Sequence, residues 1–286
     1  MAAPRHFRLP GAGVALVNTD LHGNGADFRR LEAIFREHVA EHAEHAHWVI
    51  LGDVVHGPSA EARQREPRLY DYDDESAAIV ARILELREEF PRQLHFVLGN
   101  HDYAHVGGVR TSKFYPDEAA QLESSMTAAE VQRMHTLFRS ALLAVSSECG
   151  VLMTHGSPDA TLQSLADLND IDIPRTKDSA YHDGILRGFL FAYGQRGETT
   201  AKLLAQLNRV GSAQSMRPLS VVVHGHDRAE NGLFCEGGNQ VCPVLFGAVE
   251  HEKRYVQLDL AAHYPAADAL RDGAEVRRLH AGASRS

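Results

Sequence analysis

The chain has 286 residues, of which 44% are hydrophobic, and carries a formal net charge of −9 at pH 7. This apolar content is enough for one large core, and the acidic balance argues against a nucleic-acid partner, which normally meets a basic stripe. Because the N-terminus is too polar for a signal peptide and no apolar run reaches membrane-spanning length, we expect a cytoplasmic protein without a membrane partner.

The first half of the chain alternates predicted strands and helices. Short apolar runs predict buried strands. Longer stretches with helical periodicity come after the first and after the second of these predicted strands. A polar segment at 58–74, rich in Arg and Asp, lacks periodicity and is predicted as an inserted loop. The predicted strands are 14–18, 48–51 and 94–98, and the predicted helices are 26–46 and 76–90.

In the second half, short predicted strands cluster towards the end. Turn residues 148–150 between two apolar runs indicate a hairpin, a helix is expected over much of 185–207, and further short strands follow it. Together with the first half, this pattern predicts an α/β sandwich of two packed sheets with helices outside. We predict one domain at 14–260, between an N-terminal segment at 1–13 and a C-terminal tail at 261–286. The later strands are predicted at 219–223, 233–235, 241–246 and 254–260.

Polar side chains follow five of the predicted strands, at the point where each strand ends, and every one of these strand ends also contains a glycine. A single Asp or His in such a place is usually a turn or loop residue. Seven of them at successive strand ends instead indicate a site on the carboxyl edge of a sheet. They are Asp20, His22, Asp53, Asn100, His101, His155 and His226.

These residue types suit a divalent metal centre. Carboxylate, imidazole and amide oxygen ligands fit Mn, Fe or Zn. Asp53, on the middle strand, can offer one oxygen to each of two ions about 3.5–4 Å apart, which would polarise a bridging water into hydroxide for in-line attack on phosphorus. We therefore expect two divalent cations as cofactors, with Mn as the first choice and Fe or Zn as alternatives.

Five blocks of this chain resemble, in order, those of the calcineurin-like metallophosphoesterases, and most closely those of the bacterial serine/threonine phosphatases in the phosphoprotein phosphatase branch. The segment Arg187-Gly-Phe-Leu-Phe-Ala-Tyr-Gly194 also resembles that branch. The resemblance implies a four-layer α/β/β/α sandwich with two mixed sheets flanked by helices. The five blocks are Asp20-Leu-His-Gly, Gly52-Asp-Val-Val-His-Gly, Gly99-Asn-His-Asp, Thr154-His-Gly-Ser-Pro and His224-Gly-His-Asp.

The resemblance also implies a role for each matching residue. His101 would protonate the leaving oxygen as general acid, and Arg187 would hold the phosphate oxygens. The ligands fall into two sets that share one carboxylate. One metal would take Asp20, His22 and Asp53, and the other Asp53, Asn100, His155 and His226.

The second block departs from the family pattern. It usually runs Gly-Asp-x-x-Asp-Arg-Gly and supplies an Asp that orients the acidic histidine and a second phosphate-binding Arg. Here it is Gly52-Asp-Val-Val-His56-Gly57, and both residues are missing. His56 could substitute as a substrate-binding group, or an Arg of the insert at 58–74 could reach the site, although an exposed loop is the simpler interpretation of those arginines.

The sequence thus predicts a dinuclear metal-dependent phosphoesterase that hydrolyses phosphomonoesters, like a serine/threonine protein phosphatase. Its expected substrates are a phosphorylated protein or a small phosphoester. One alternative is a nucleotide hydrolase resembling the bis(5'-nucleosyl)-tetraphosphatases, because the third block here ends in Asp102 and bacterial relatives of that kind also have Asp rather than Glu at this position. Another is a binding module that kept the fold and lost turnover.

Overall fold

The structure, a computed structural model, describes residues 4–176, 179–212 and 217–280. Two mixed β-sheets pack face to face. The first has the strand order β1-β5-β6-β7-β9-β8 and the second β11-β10-β2-β3-β4. The strands are β1 His6–Arg8, β2 Val14–Asn18, β3 Ala46–Ile50, β4 Leu94–Phe96, β5 Ala144–Ser146, β6 Val151–Thr154, β7 Val221–His224, β8 Leu233–Glu236, β9 Gln240–Pro243, β10 Arg254–Asp259 and β11 Val276–Arg278.

Helices cover the outer faces of the sheets, as the predicted four-layer α/β/β/α arrangement requires. The longest, α1, begins after Asn24, whose side chain accepts a hydrogen bond from the Asp27 backbone N–H, and α7 begins at a capping box formed by Thr127 and Glu130. The helices are α1 Gly25–His42, α2 Ala60–Arg65, α3 Pro67–Tyr70, α4 Ser76–Glu89, α5 Asn100–Tyr103, α6 Glu118–Ser124, α7 Ala128–Arg139, α8 Ala180–Phe191 and α9 Gly197–Ser212.

The central strands β2, β3, β4, β6 and β7 are buried on both faces, which explains why they are continuous apolar runs. Along β2, Ala15 and Val17 face the core between the two sheets, whereas Val14 and Leu16 face the core beneath the helices. This alternation follows from the two-residue period of a strand. Packing in these two cores fixes the position of one sheet against the other, and thereby the positions of the strand ends.

The carboxyl ends of five strands converge at one edge of the sandwich. β2, β3 and β4 are parallel neighbours in one sheet, and β6 and β7 are parallel neighbours in the other. Parallel strands end on the same side, so the loops that follow them meet there. The metal-type residues predicted from the sequence lie in these loops.

Three parts of the chain differ from the predicted elements. The insert at 58–74 contains α2 and α3 rather than loop alone, and the predicted helix at 185–207 is two helices, α8 and α9, separated near Gly194. The flanking segments each add an edge strand, β1 beside β5 and β11 beside β10. Residues 1–3 and 281–286 of those two predicted segments lie outside the described residues.

None of the helices within the described ranges combines the length and the apolar content that crossing a bilayer requires.

Candidate metal centre

Asp53 lies at the middle of the converging strand ends. Its Oδ2 is 3.6 Å from His22 Nε2 and 3.5 Å from His155 Nε2, and its Oδ1 accepts a hydrogen bond from the His101 backbone N–H at 2.8 Å. One ligand atom from each of Asp20, Asp53, His155 and His226 lies within 4.8 Å of the others. The structure thus brings the predicted carboxylates and imidazoles together around one buried carboxylate.

The histidines present lone pairs to this cluster. A backbone carbonyl only accepts hydrogen bonds, so the 2.7 Å contact of His155 Nδ1 with the Leu51 oxygen places the ring proton on Nδ1. His22 Nδ1 likewise faces the His56 carbonyl oxygen, at 3.2 Å. In both neutral rings Nε2 then carries the lone pair, which is how histidine binds metals.

Asn100 completes the set. Its Oδ1 lies 3.0 Å from His155 Nε2, and with the His155 proton on Nδ1 these are two acceptor atoms facing each other. A divalent cation resolves such an arrangement, because it accepts lone pairs from both. The donor set therefore fits the metal ions that the sequence predicts.

Burial sets the electrostatics of the cluster. It raises the pKa of Asp20, and burial together with the Asp20 charge raises the pKa of Asp53 well above its usual value. Burial lowers the pKa of His22 well below its usual value and that of His226 to about 3. Two adjacent buried carboxylates are costly unless a positive charge compensates them, and bound cations would supply it.

The backbone at the site is held in unusual conformations. Three residues of the cluster and the neighbouring His56, none of them glycine, have positive φ, a sparsely populated region that persists where the surrounding structure fixes it. Such strain is concentrated here, next to the clustered ligands. The φ angles are 43° at His22, 51° at Asp53, 71° at His56 and 67° at His226.

The glycines beside the ligands have a packing reason. A Cβ atom at Gly225 would lie 2.5 Å from Asp20 Oδ2, and a Cβ at Gly99 would collide with the Asp53 carboxylate. Glycine lets the ligand carboxylates rest directly on the backbone of a neighbouring loop. Asp102 fixes the same loops, because its Oδ2 accepts hydrogen bonds from the backbone N–H groups of Asp53 and Gly99.

The cluster opens into a cleft of about 300 Å³, and the sequence predicted only some of the residues that line it. Lys113 and Arg228 line it and bring two cationic groups next to the carboxylates. Burial and the neighbouring Arg228 guanidinium lower the pKa of Lys113 to about 7. The Lys113 ammonium lies 3.8 Å from the centre of the Phe246 ring. Lys113 lies in an irregular loop, where no motif distinguishes it from other surface lysines.

The two predicted substrate-binding residues are placed elsewhere. Arg187 is exposed on α8 and lines a neighbouring cavity of about 760 Å³, which shares Tyr193 with the metal cleft. His56 is buried behind His101, with the two Nδ1 atoms 2.9 Å apart. His101 itself lines the cleft. The structure thus groups the six metal-type ligands with His101, and sets Arg187 and His56 outside that group.

The arginines of the insert pair with acidic groups nearby. Arg63 contacts Asp73, and Arg65 contacts Glu61 one turn earlier in α2. Arg68 lies 3.6 Å from Glu230. These are exposed ion pairs of low energetic weight, which agrees with the simpler interpretation that the sequence suggested.

Comparison with known proteins identifies the family of this chain. The family model described as calcineurin-like phosphoesterase matches residues 15–228. The chain belongs to this family. As a member of this family, it is a metal-dependent hydrolase. Its cluster of Asp and His residues contains candidate metal ligands.

Solved structures share the fold of this calcineurin-like phosphoesterase. A protein serine/threonine phosphatase from Saccharomyces cerevisiae superposes with a TM-score of 0.60 at 16% identity, over 90% of this chain and 77% of that one. A cold-active protein-tyrosine phosphatase from a psychrophilic Shewanella species gives 0.56 at 15% identity, over 91% and 79%. No curated protein matches the chain in sequence.

Proposed function

We propose that this calcineurin-like phosphoesterase is a dinuclear metal enzyme that hydrolyses phosphomonoesters, in the manner of a serine/threonine protein phosphatase. The observation that carries the proposal is the position of Asp53 Oδ2, which lies between His22 Nε2 and His155 Nε2 at 3.6 and 3.5 Å. A single carboxylate between two groups of lone-pair donors can serve two ions at once.

One ion is assigned to Asp20, His22 and Asp53, and the other to Asp53, Asn100, His155 and His226. Two divalent cations, with Mn as the first choice, supply Lewis acidity towards the phosphoryl group and make water more acidic. The side chains of the protein fix where those ions bind and where the phosphate lies.

The remaining residues of the cleft handle the substrate. Lys113 and Arg228 bind the phosphoryl oxygens, because both line the cleft and cations complement that charge. His101 donates a proton to the leaving oxygen. Arg187 contacts the part of the substrate beyond the phosphate, in the adjoining cavity. A phosphorylated protein or a small phosphoester is the proposed substrate.

A substrate panel tests the proposal. Purified protein is assayed with Mn²⁺ on p-nitrophenyl phosphate, a phosphoserine peptide and diadenosine tetraphosphate. Metal-dependent release of phosphate from either monoester supports the proposal. The absence of turnover on all three substrates, with two equivalents of metal bound, would instead favour the binding module.

A nucleotide hydrolase is the second candidate, and one observation favours it. Tyr193 is 62% exposed at the rim of the cleft, with its ring centre 4.5 Å from that of His226. An exposed aromatic ring next to a phosphate site offers a stacking surface for a nucleobase. Dominant cleavage of diadenosine tetraphosphate in the same panel would make this the main function.

A further inference from the structure

Behind His101 lies a buried network of ionisable side chains. His101 Nδ1 is 2.9 Å from His56 Nδ1, and His56 Nε2 is 2.9 Å from His105 Nε2. His105 Nδ1 then lies 2.7 Å from Glu123 Oε1. The three histidines are buried, while Glu123 is half-buried on α6. The network therefore runs from the metal cleft to the edge of α6.

The direction of each hydrogen bond in the network follows from the carboxylate of Glu123 at its outer end. A carboxylate only accepts, so His105 Nδ1 carries the proton that it donates to Glu123. In a neutral ring His105 Nε2 must then accept, and His56 Nε2 donates to it. His56 Nδ1 accepts in turn, which leaves the His101 proton on Nδ1. The network thus selects one tautomer of His101, with the Nε2 lone pair free.

Glu118 stands beside the inner end of this network. It is 1% exposed, and its Oε2 lies 3.4 Å from His101 Nδ1 and 3.8 Å from His56 Nδ1. Among the described residues no hydrogen bond satisfies this oxygen. The other oxygen, Oε1, accepts from the Phe114 backbone N–H at 2.9 Å. A buried carboxylate oxygen without a partner is expensive, and the nearest groups able to compensate it are the two imidazoles.

We propose that Glu118 is the positioning residue for His101, and that the His56–His105–Glu123 network holds the ring of His101 in its Nδ1–H tautomer. This inference rests on the proposed function, because His101 acts there as the acid. The free Nε2, which faces the cleft, first takes up a proton from solvent. When the P–O bond to the leaving group breaks, that proton passes to the leaving oxygen and Nδ1 keeps its own. Glu118 orients the ring for that transfer, because its buried and unpartnered Oε2 lies beside Nδ1.

The first test does not depend on activity. ¹⁵N-histidine NMR on the full chain, as purified and loaded with diamagnetic Zn²⁺, reports which nitrogen of each ring is protonated, and His101→Gln identifies the resonances of His101. The expected result is a protonated Nδ1 and an unprotonated Nε2, with Glu118→Gln and Glu123→Gln each shifting the His101 nitrogens. An Nε2–H tautomer in the unmodified chain overturns the proposal.

The second test separates positioning from a structural role. A general acid matters most for a poor leaving group, so Glu118→Gln should lower kcat about 10-fold or more on phenyl phosphate and less than about 3-fold on p-nitrophenyl phosphate, with KM unchanged. Gln keeps the acceptor for the Phe114 N–H. A merely structural effect through the neighbouring Lys113 loop would raise KM on both esters equally, and that result contradicts the proposal.

A double variant tests whether Glu118 acts through His101. Adding Glu118→Gln to His101→Ala should slow turnover by less than about 2-fold further, because residues that act as a unit are not additive. Full additivity overturns the positioning role. Asp27→Asn, a buried carboxylate that pairs with Lys253 outside the cleft, is the matched control and should leave both esters unaffected. An unmodified protein with the expected tautomer but no turnover would refute the proposed function alone.

Discussion

Replacing Asp53 by Asn removes the shared carboxylate charge while preserving its shape. The Oδ1 atom can still accept the hydrogen bond from the His101 backbone N–H, at 2.8 Å in the native chain. The other atom, between His22 and His155, becomes an amide nitrogen and loses its capacity to bind cations. We therefore expect loss of metal binding and of activity together, without loss of the fold.

Thermal unfolding measures this change. A ligand present at about 100 times its Kd stabilises the folded state by about 2.7 kcal/mol, and each kcal/mol raises Tm by about 2–4 °C in chains of comparable size. Saturating Mn²⁺ should thus raise the Tm of the unmodified chain by about 5–10 °C. For Asp53→Asn we expect a rise below about 2 °C.

The metal-free variant should behave in the opposite way. Burial and the Asp20 charge raise the pKa of Asp53, so an uncompensated carboxylate disfavours the metal-free fold and its removal should raise the metal-free Tm. Asp27→Asn is the control, because it breaks a buried pair with Lys253 and should lower Tm while preserving the Mn²⁺-dependent increment. An Mn²⁺-dependent increment in Asp53→Asn equal to that of the unmodified chain would refute the reasoning.

Three further outcomes are expected. His101→Ala should keep its metal content and lose turnover on the order of 10²-fold; full turnover would remove His101 from the reaction. Lys113→Met should raise KM for p-nitrophenyl phosphate about 10-fold, whereas Arg187→Ala changes it less than about 2-fold, as initial rates will show. Burial lowers the pKa of His47 to about 4 and of His95 to about 3, so from pH 7 to 5 the unfolded chain binds protons that the folded chain does not. The free energy of unfolding should therefore fall by about 1–2 kcal/mol for each of these two histidines. Between pH 7 and 5, the urea midpoint of His95→Gln should fall less than that of the unmodified chain. An equal fall in both chains would argue against this linkage.

The fold could be predicted because its central strands carry an unambiguous pattern. Val14–Asn18 and the runs preceding Asp53 and Asn100 are short, apolar and followed by glycine-rich turns, which is typical of buried parallel strands. β1 and β11 were not predicted, because each has three residues and gains its stability from one neighbouring strand rather than from local sequence. The break between α8 and α9 depends on a tertiary contact, the hydrogen bond from the Gly194 N–H to Asp227 Oδ2 at 2.7 Å.

The metal-type ligands were predictable for a related reason. Each follows a strand directly, so topology alone carries it to the common edge. Lys113 reaches the cleft from an irregular loop, and Glu118 reaches His101 from the start of α6. No spacing in the sequence marks either residue. Arg187 has the expected motif, yet α8 places its side chain at the adjoining cavity. Motifs located the clustered Asp, Asn and His residues, whereas the other groups that line the cleft depend on loop packing.

Metal content tests the central claim most directly. Protein dialysed against Mn²⁺ and freed of excess ion should contain two equivalents of metal per chain by elemental analysis, and Asp53→Asn should contain less than one. Two equivalents retained in Asp53→Asn, or none in the unmodified chain, would contradict a centre built on that shared carboxylate.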